Sequence, residues 1–257
     1  MDAAPQWIAT GVAVLLLAGL ASAALGTFRI SQPRAVVLAL GRAILQLGAL
    51  SLILTGIIAD PLWVGVGLAV MFCAAVATAA RRAATRGADI LRLGASMLIG
   101  PTIAMTIVFL TGAVEFSSRY VLAIGGIVIG NTMTIAILTQ RVFVTSIRDH
   151  WDEIEGWLAL GATPRQSTLL LGRAATHTAL LPSIDQTRTT GIVVLPGAFV
   201  GAVFAGASPL EAGRFQLVVL ASILAAGVLT SVTLVRTTGA VTMRPDDSPV
   251  RQPARGR

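Results

Sequence analysis

Lysine is missing from this 257-residue sequence, so all 19 of its basic residues are arginine. Charged residues of both signs make up only 12% of it, against roughly a quarter in soluble domains. Cys73 is the single cysteine, which excludes an intrachain disulfide and a thiolate metal cluster. The two histidines, His150 and His177, lie far apart, so no metal ligands are assigned. A G-x-x-x-x-G-K-[ST] loop is absent too, and the chain cannot hold ATP in that manner itself. No long hydrophilic stretch is left over for a separate soluble domain.

What the chain has is apolar length. It is 55% hydrophobic with a mean hydropathy of +0.82, the composition of a multispanning all-α membrane protein. At about 20 residues per span there is room for six to eight helices. Seven apolar segments stand out, near 7–28, 35–58, 62–80, 93–113, 119–140, 184–206 and 214–236. With the connection 141–183 they make one membrane domain over 1–240. The first segment is long enough to span and has no basic stretch before it, so it reads as a retained helix and not a signal peptide. Residues 241–257 are rich in Pro, Arg and Asp and are expected to form a disordered tail.

The arginines sit in alternate connections. Arg29 and Arg34 follow segment 1; Arg81, Arg82, Arg86 and Arg92 follow segment 3; Arg141 to Arg188 follow segment 5; Arg236 to Arg257 follow segment 7. The other connections are nearly bare. The positive-inside rule then puts the N-terminus outside and the C-terminus in the cytoplasm of a cell-membrane protein. Arginines arranged in this way are topology signals in contact with lipid and give no support for nucleic-acid binding.

The long connection is the most informative stretch. In 146-SIRDHWDEIEGWLALG-161 apolar residues recur at helical spacing among four acids, an amphipathic helix that Gly161 closes. In 163-TPRQ-166, Thr163 and Gln166 form a capping box with Pro164 at the first helical position, so a second helix starts there and runs to Leu181. One reading is a helix pair lying at the membrane interface. The other is a capped corner that docks a cytoplasmic partner.

Within the segments no acid falls at mid-depth: Asp60 and Glu115 are read at the outer edge and Asp185 near the inner one. That counts against a proton-coupled transporter. The large polar residues inside are Arg42, Gln46 and Asn131, which suit either a path lining or interhelical hydrogen bonds. Gly126 and Gly130, and Gly197 and Gly201, have G-x-x-x-G spacing for close helix approach. In 183-SIDQTRTTGIVVLPGAFVGAVFAG-206, Ser183 to Thr190 is read as a polar lead-in and Gly191 to Leu195 as a half-helix. Pro196-Gly197 is then a kink that frees the carbonyl of Ile192 and serves as a hinge.

The runs 155-EGWLALGATPRQS-167 and 187-TRTTGIVVLPGAFVGAVFAGASPLEA-212, with Gln216, Arg42, Gln46 and 131-NTMT-134, resemble the FetB/YbbM-type permeases of ABC transporters. That family includes bacterial iron exporters and plant aluminium-tolerance half-transporters. The resemblance implies a homodimeric permease of about seven helices. It also implies a separate ATP-binding subunit carrying ATP and Mg, gripping Glu155, Leu160, Gly161, Ala162, Thr163, Pro164 and Gln166. Movement would pass through Arg42, Gln46, Asn131, Thr190, Gly191, Pro196, Gly197 and Gly201. The chain departs from the family at 198-AFVGA-202, where the pattern Met-Met-Thr-Gly-Gln would offer thioether and amide groups; an apolar lining argues against iron. Its Leu181-Pro182 also lies too far from Gly161 for the importer form of the coupling motif. The expected function is therefore the permease subunit of an ATP-driven exporter of a metal ion or other small solute. A self-sufficient secondary transporter or channel is the alternative, and a membrane enzyme built on His150 with Asp152 or Glu153 is a distant third.

Overall fold

The computed structural model describes residues 3–28, 35–57 and 60–245. The expected tail from 246 onward, and Arg29 and Arg34, lie outside the described residues. The chain is polytopic and all-α, in two compact bodies, one ending at Ala59 and one beginning at Asp60. The first holds α1 (Ala3–Thr27) and α2 (Ala35–Ile57), which pack on each other. The second holds α3 (Pro61–Arg82), α4 (Ala88–Leu110), α5 (Ser118–Asp149), α6 (Trp151–Ala159), α7 (Pro164–Ser167), α8 (Leu169–Thr189), α9 (Gly197–Phe204) and α10 (Pro209–Thr238). Among the described residues α1, α3, α4, α5 and α10 are long and apolar enough to cross a membrane, and α2 is a further apolar helix.

Starts of helices follow local chemistry. Asp60, Thr163 and Ser208 each precede a proline and accept a backbone N–H from the first turn, at Leu62, Gln166 and Glu211. An oxygen-bearing side chain at the cap satisfies one of the orphan donors, and proline next to it has no donor to lose.

Three helices form the centre of the larger body, and their register can be read from side chains. Thr139 of α5 and Ser231 of α10 share a hydroxyl hydrogen bond at 2.9 Å, buried and 92 residues apart. The same offset relates Ile135 to Gly227 and Phe143 to Val235, which also meet, so α5 and α10 run parallel. Between them α8 runs antiparallel to both. Its Gly172 lies against Val235 and Phe143, and its Leu180 against Gly227 and beside Ile135. On the other side of α10, Gly100, midway along α4, lies against the carbonyl of Ala226. The middle of α8 is thus level with the middle of α4 and of the whole bundle.

That register corrects the sixth segment. Residues 184–206 are not one helix. The helix packed beside α5 and α10 is α8, Leu169–Thr189, followed by a turn and the short α9. Gly191 takes a φ of +86°, in the left-handed region where a side chain would be strained, and donates to the carbonyl of Val194. Pro196 caps the start of α9, so it does not kink a helix. The prolines inside helices are Pro101 and Pro182.

Two smaller corrections follow. Segment 5 continues to Asp149, because Phe143 and Ile147 keep it packed beyond its apolar stretch. The amphipathic helix expected over 146–161 is divided at His150, its first turn belonging to α5. The stretch between the long helices α5 and α8 is therefore His150 to Thr168, shorter than the 141–183 expected. Val241 still packs with Phe143 and Val235, one residue past the expected domain end.

Candidate functional site

One end of the larger body gathers arginines. Arg141 donates from Nε and Nη2 to the carbonyl of Arg82 at 2.8 and 2.6 Å, holding α5 to the last turn of α3. Arg173 and Arg236 follow directly on the meeting of Gly172 with Val235, at that same level. At this end sits the corner made by α6 and α7.

The corner is closed by local bonds. α6 ends in a Schellman motif: Gly161, at φ +89°, donates to Leu158, and Ala162 donates to Trp157, both at 3.0 Å. α7 begins with the capping box, Gln166 N–H to Thr163 Oγ1 at 3.4 Å and Thr163 N–H to Gln166 Oε1 at 2.8 Å. Under the corner, Trp151 and Ile154 are buried with Phe143 and Ile147 of α5 and Ala175 of α8, with Val235 of α10 packed alongside. Each such side chain contributes about 1.5–3 kcal/mol on burial, so the corner is fixed to the ends of three helices. Thr168 adds a buried hydrogen bond, donating from Oγ1 to the carbonyl of Gly239 at 2.7 Å.

Above this foot the corner is exposed and partly apolar. Leu160 is 83% exposed and Trp157 55% exposed, two large side chains at the tip with nothing covering them. Glu155 is engaged locally, accepting from Trp151 Nε1 at 2.6 Å. Of the residues expected to dock a partner, Leu160 to Gln166 therefore form one surface, while Glu155 braces the helix. Trp157 was missed by sequence reasoning; its signal was an aromatic on the polar face of an amphipathic helix.

Within the second body the expected path residues are spread over α5, the end of α8, the turn after it and α9. Asn131 of α5 is half-buried and donates from Nδ2 to the carbonyl of Ile127 at 2.8 Å. Thr190 ends α8 and donates to the carbonyl of Gln186 at 2.7 Å. Gly197 and Gly201, on α9, have no neighbouring atom where a Cβ would stand, and Gly130 is open too. Gly126 alone of the two G-x-x-x-G pairs meets a neighbour, the Met71 side chain. The closest approaches between helices are made instead at Gly100, Gly125, Gly172 and Gly227. Arg42 and Gln46 are exposed on α2, four residues apart, and belong to the first body.

Further polar residues lie inside the bundle, of which the sequence singles out only Gln216 and Thr132. Thr132, Thr139 and Gln140 of α5 and Gln216, Ser222, Thr230 and Ser231 of α10 are buried. On α8 the polar side chains point the other way: Arg173, His177, Thr178, Asp185 and Gln186 are exposed, while Gly172, Ala175, Ala179 and Leu180 are buried. Asp185, expected near the inner edge, takes its level from the register of α8. It lies beyond the middle of the bundle, on the side away from the arginine end. At that far end a cavity of about 320 Å³ is lined by Glu115, Tyr120, Glu211, Arg214 and Phe215. Among the described residues no three of His, Cys, Asp and Glu come together as metal ligands would.

Comparison with known proteins matches residues 7–241 to the family described as "Uncharacterised protein family (UPF0014)". The chain belongs to this family. A rice relative, "UPF0014 membrane protein STAR2" (Oryza sativa subsp. japonica), is 33% identical over 86% of this chain and 78% of its own. "Protein ALUMINUM SENSITIVE 3" of Arabidopsis thaliana is 35% identical over 77% of this chain and 73% of its own. "Probable iron export permease protein FetB" of Escherichia coli (strain K12) is 31% identical over 53% of each. No solved structure matches. The matched span contains every helix of both bodies apart from the first residues of α1, so family membership covers the corner and the bundle together.

Proposed function

We propose that this chain is the membrane-spanning permease subunit of an ABC-type exporter, working as a homodimer with a separate ATP-binding subunit that holds ATP and Mg. The observation that carries this is the α6–α7 corner: locally capped, seated on α5, α8 and α10, and tipped with exposed Trp157 and Leu160. A rigid element of this kind can pass a push from a partner into three helices at once, which a loose interfacial helix cannot. The relative whose printed name is an iron export permease supports export of a metal ion or other small solute. The gathering of Arg82, Arg141, Arg173 and Arg236 at the corner's end supports a cytoplasmic corner in the inner membrane, with the N-terminus outside and the C-terminus inside.

The test is co-purification with the ATP-binding subunit and its ATPase rate. Leu160→Asp puts a charge on the exposed tip without touching the buried foot. It should lower ATPase stimulation at least ten-fold while the melting temperature stays within 2 °C or so, since exposed positions contribute little to stability. Full stimulation in Leu160→Asp and Trp157→Ala together would remove the corner from docking. Glu155 charge reversal is a poorer probe, because it also breaks the bond from Trp151.

A second reading, a self-sufficient secondary transporter, draws on one observation. Asp185 and His177 supply titratable groups at membrane depth, which such a transporter would use. Purified chain in liposomes decides between them: solute flux without any ATPase favours the second reading, and flux only with the ATPase and ATP favours the first.

A further inference from the structure

α8 is in the wrong medium if its outward face meets lipid. Its midpoint, near Leu180, is level with Gly227 and Ile135, and through Ala226 with Gly100 at the middle of α4. At 1.5 Å per residue, His177 then stands about 4.5 Å from that level toward the arginine end, and Asp185 about 7.5 Å beyond it on the other side. Both are exposed, and so are Thr178 and, further round the helix, Gln186; Ala174 and Leu181 are exposed with them. Pro182 has no N–H to give to the carbonyl of Thr178, so that carbonyl is left without its helical partner close to the midpoint. Asp185 and Arg188 are 3.6 Å apart and both largely exposed, a loose pair that would not offset the cost of placing either in hydrocarbon. Polar groups at that depth persist where they line water or protein.

The back of α8 is already occupied. Gly172, Ala175, Ala179 and Leu180 are buried on α5 and α10, so the polar face is the one turned away from this body. On α5, the side of Asn131 and Thr134 borders it: antiparallel register puts Asn131 level with Ile184, next to Asp185. A water-filled lumen needs a second wall of similar polarity. Within 7–28 and 35–58 the sequence offers only Arg42 and Gln46 as large polar side chains. A second α8 offers the whole stripe again, and two copies related by a two-fold axis along the membrane normal face each other with the same levels opposed.

We infer that the outward face of α8, from Arg173 through His177, Thr178 and Asp185 to Gln186, is the wall of an aqueous path for a small hydrophilic solute. A second copy of this chain closes it. The inference deepens the permease reading by naming the path, and it rests on that reading for the solute's movement.

Cysteine accessibility tests it with the full chain in sealed membrane vesicles. Cys73 is first replaced by serine, and single cysteines are placed at Thr178 and Asp185 on the face, at Ala179 behind it, and at Leu98 of α4, which is exposed with no polar neighbour in sequence. A charged methanethiosulfonate should modify the cysteines at 178 and 185 at least ten times faster than those at 179 and 98. A short bifunctional thiol reagent should join two chains through a cysteine at one or more of Ala174, Thr178 and Leu181. Modification of 178 and 185 as slow as at 98 would put the face in lipid or in dry protein and overturn the path. Fast modification with no covalent dimer from any of the three positions, and instead a link within one chain between 178 and a cysteine at Gln46, would give the closing role to α2 and overturn the second copy. Neither readout needs the ATP-binding subunit or transport, so loss of the coupling reading leaves this test able to answer.

Discussion

α8 and α10 lie side by side over the same depth, and they turn their polar residues in opposite directions. α10 keeps Gln216, Ser222, Thr230 and Ser231 inward, where Ser231 bonds Thr139 of α5, and shows Leu217, Ala221, Ala225 and Val228 to the outside. α8 does the reverse, with small residues inside and Arg173, His177, Thr178 and Asp185 outside. Inward polar groups can be exchanged for protein–protein hydrogen bonds, and in membrane helices such bonds contribute modestly. Outward ones can be satisfied only by water or by another polar surface. The direction of a polar side chain therefore separates structure from passage where its mere presence does not.

Substitutions at the shared contact should have the largest effect. Gly227→Leu drives a side chain into Ile135 and Leu180 where α5, α8 and α10 meet, and overpacking of this kind costs about 1–3 kcal/mol or more. Folded yield in detergent should fall sharply, for α10 and α8 equally, and an unchanged melting curve would mean that the register described above is wrong. Next comes Asp185→Leu on α8. Transport should drop at least ten-fold while the protein melts at the same or a slightly higher temperature, because an exposed charge is replaced by an apolar group. A parallel loss of folding would make Asp185 a structural residue like those of α10. Pro182→Ala restores the donor to the Thr178 carbonyl; a gain of stability with slower transport is expected, measured as the melting midpoint and the single-turnover rate. The smallest change is Thr139→Val, which removes the bond to Ser231. It should cost about 0.6 kcal/mol in unfolding and leave transport intact.

The same contrast explains what could be read from the sequence. Helices whose outward faces are apolar, α1, α3, α4, α5 and α10, stand out by hydropathy, and their positions in the chain were legible to within a few residues at most ends. The Thr163–Gln166 capping box was legible as well, since it depends on two side chains three residues apart. Most of α8 is legible as a helix, since one is expected from the capping box to Leu181, but its place in the bundle is not, because its polar face lowers the average of any window laid over it. The neighbouring apolar run 184–206 scores higher, though Gly191 and Pro196 break it. A signal did exist: Ala175, Ala179 and Ser183 recur at four-residue spacing, the small-residue stripe of a helix that packs closely in a membrane. The glycines that matter, at 100, 172 and 227, were missed for a different reason. What makes them necessary is the partner's backbone or branched side chain, at Ala226, Val235 and Ile135, and that is set by register rather than by local spacing.

The hydrogen bond from Thr168 to Gly239, with Gly172 against Val235, pins the lower end of α8 to the lower end of α10, whereas its upper end leads only into the Gly191 turn and the exposed α9. The middle of α8 is held as well, since Ala179 and Leu180 are buried with Ile135 and Ile184 packs beside them. The free part is then its last turn, about 8 Å from Ile184 to Thr189. A displacement at the corner from His150 to Thr168 is therefore carried by a packed rod, and the chain yields first at the Gly191 turn beyond it.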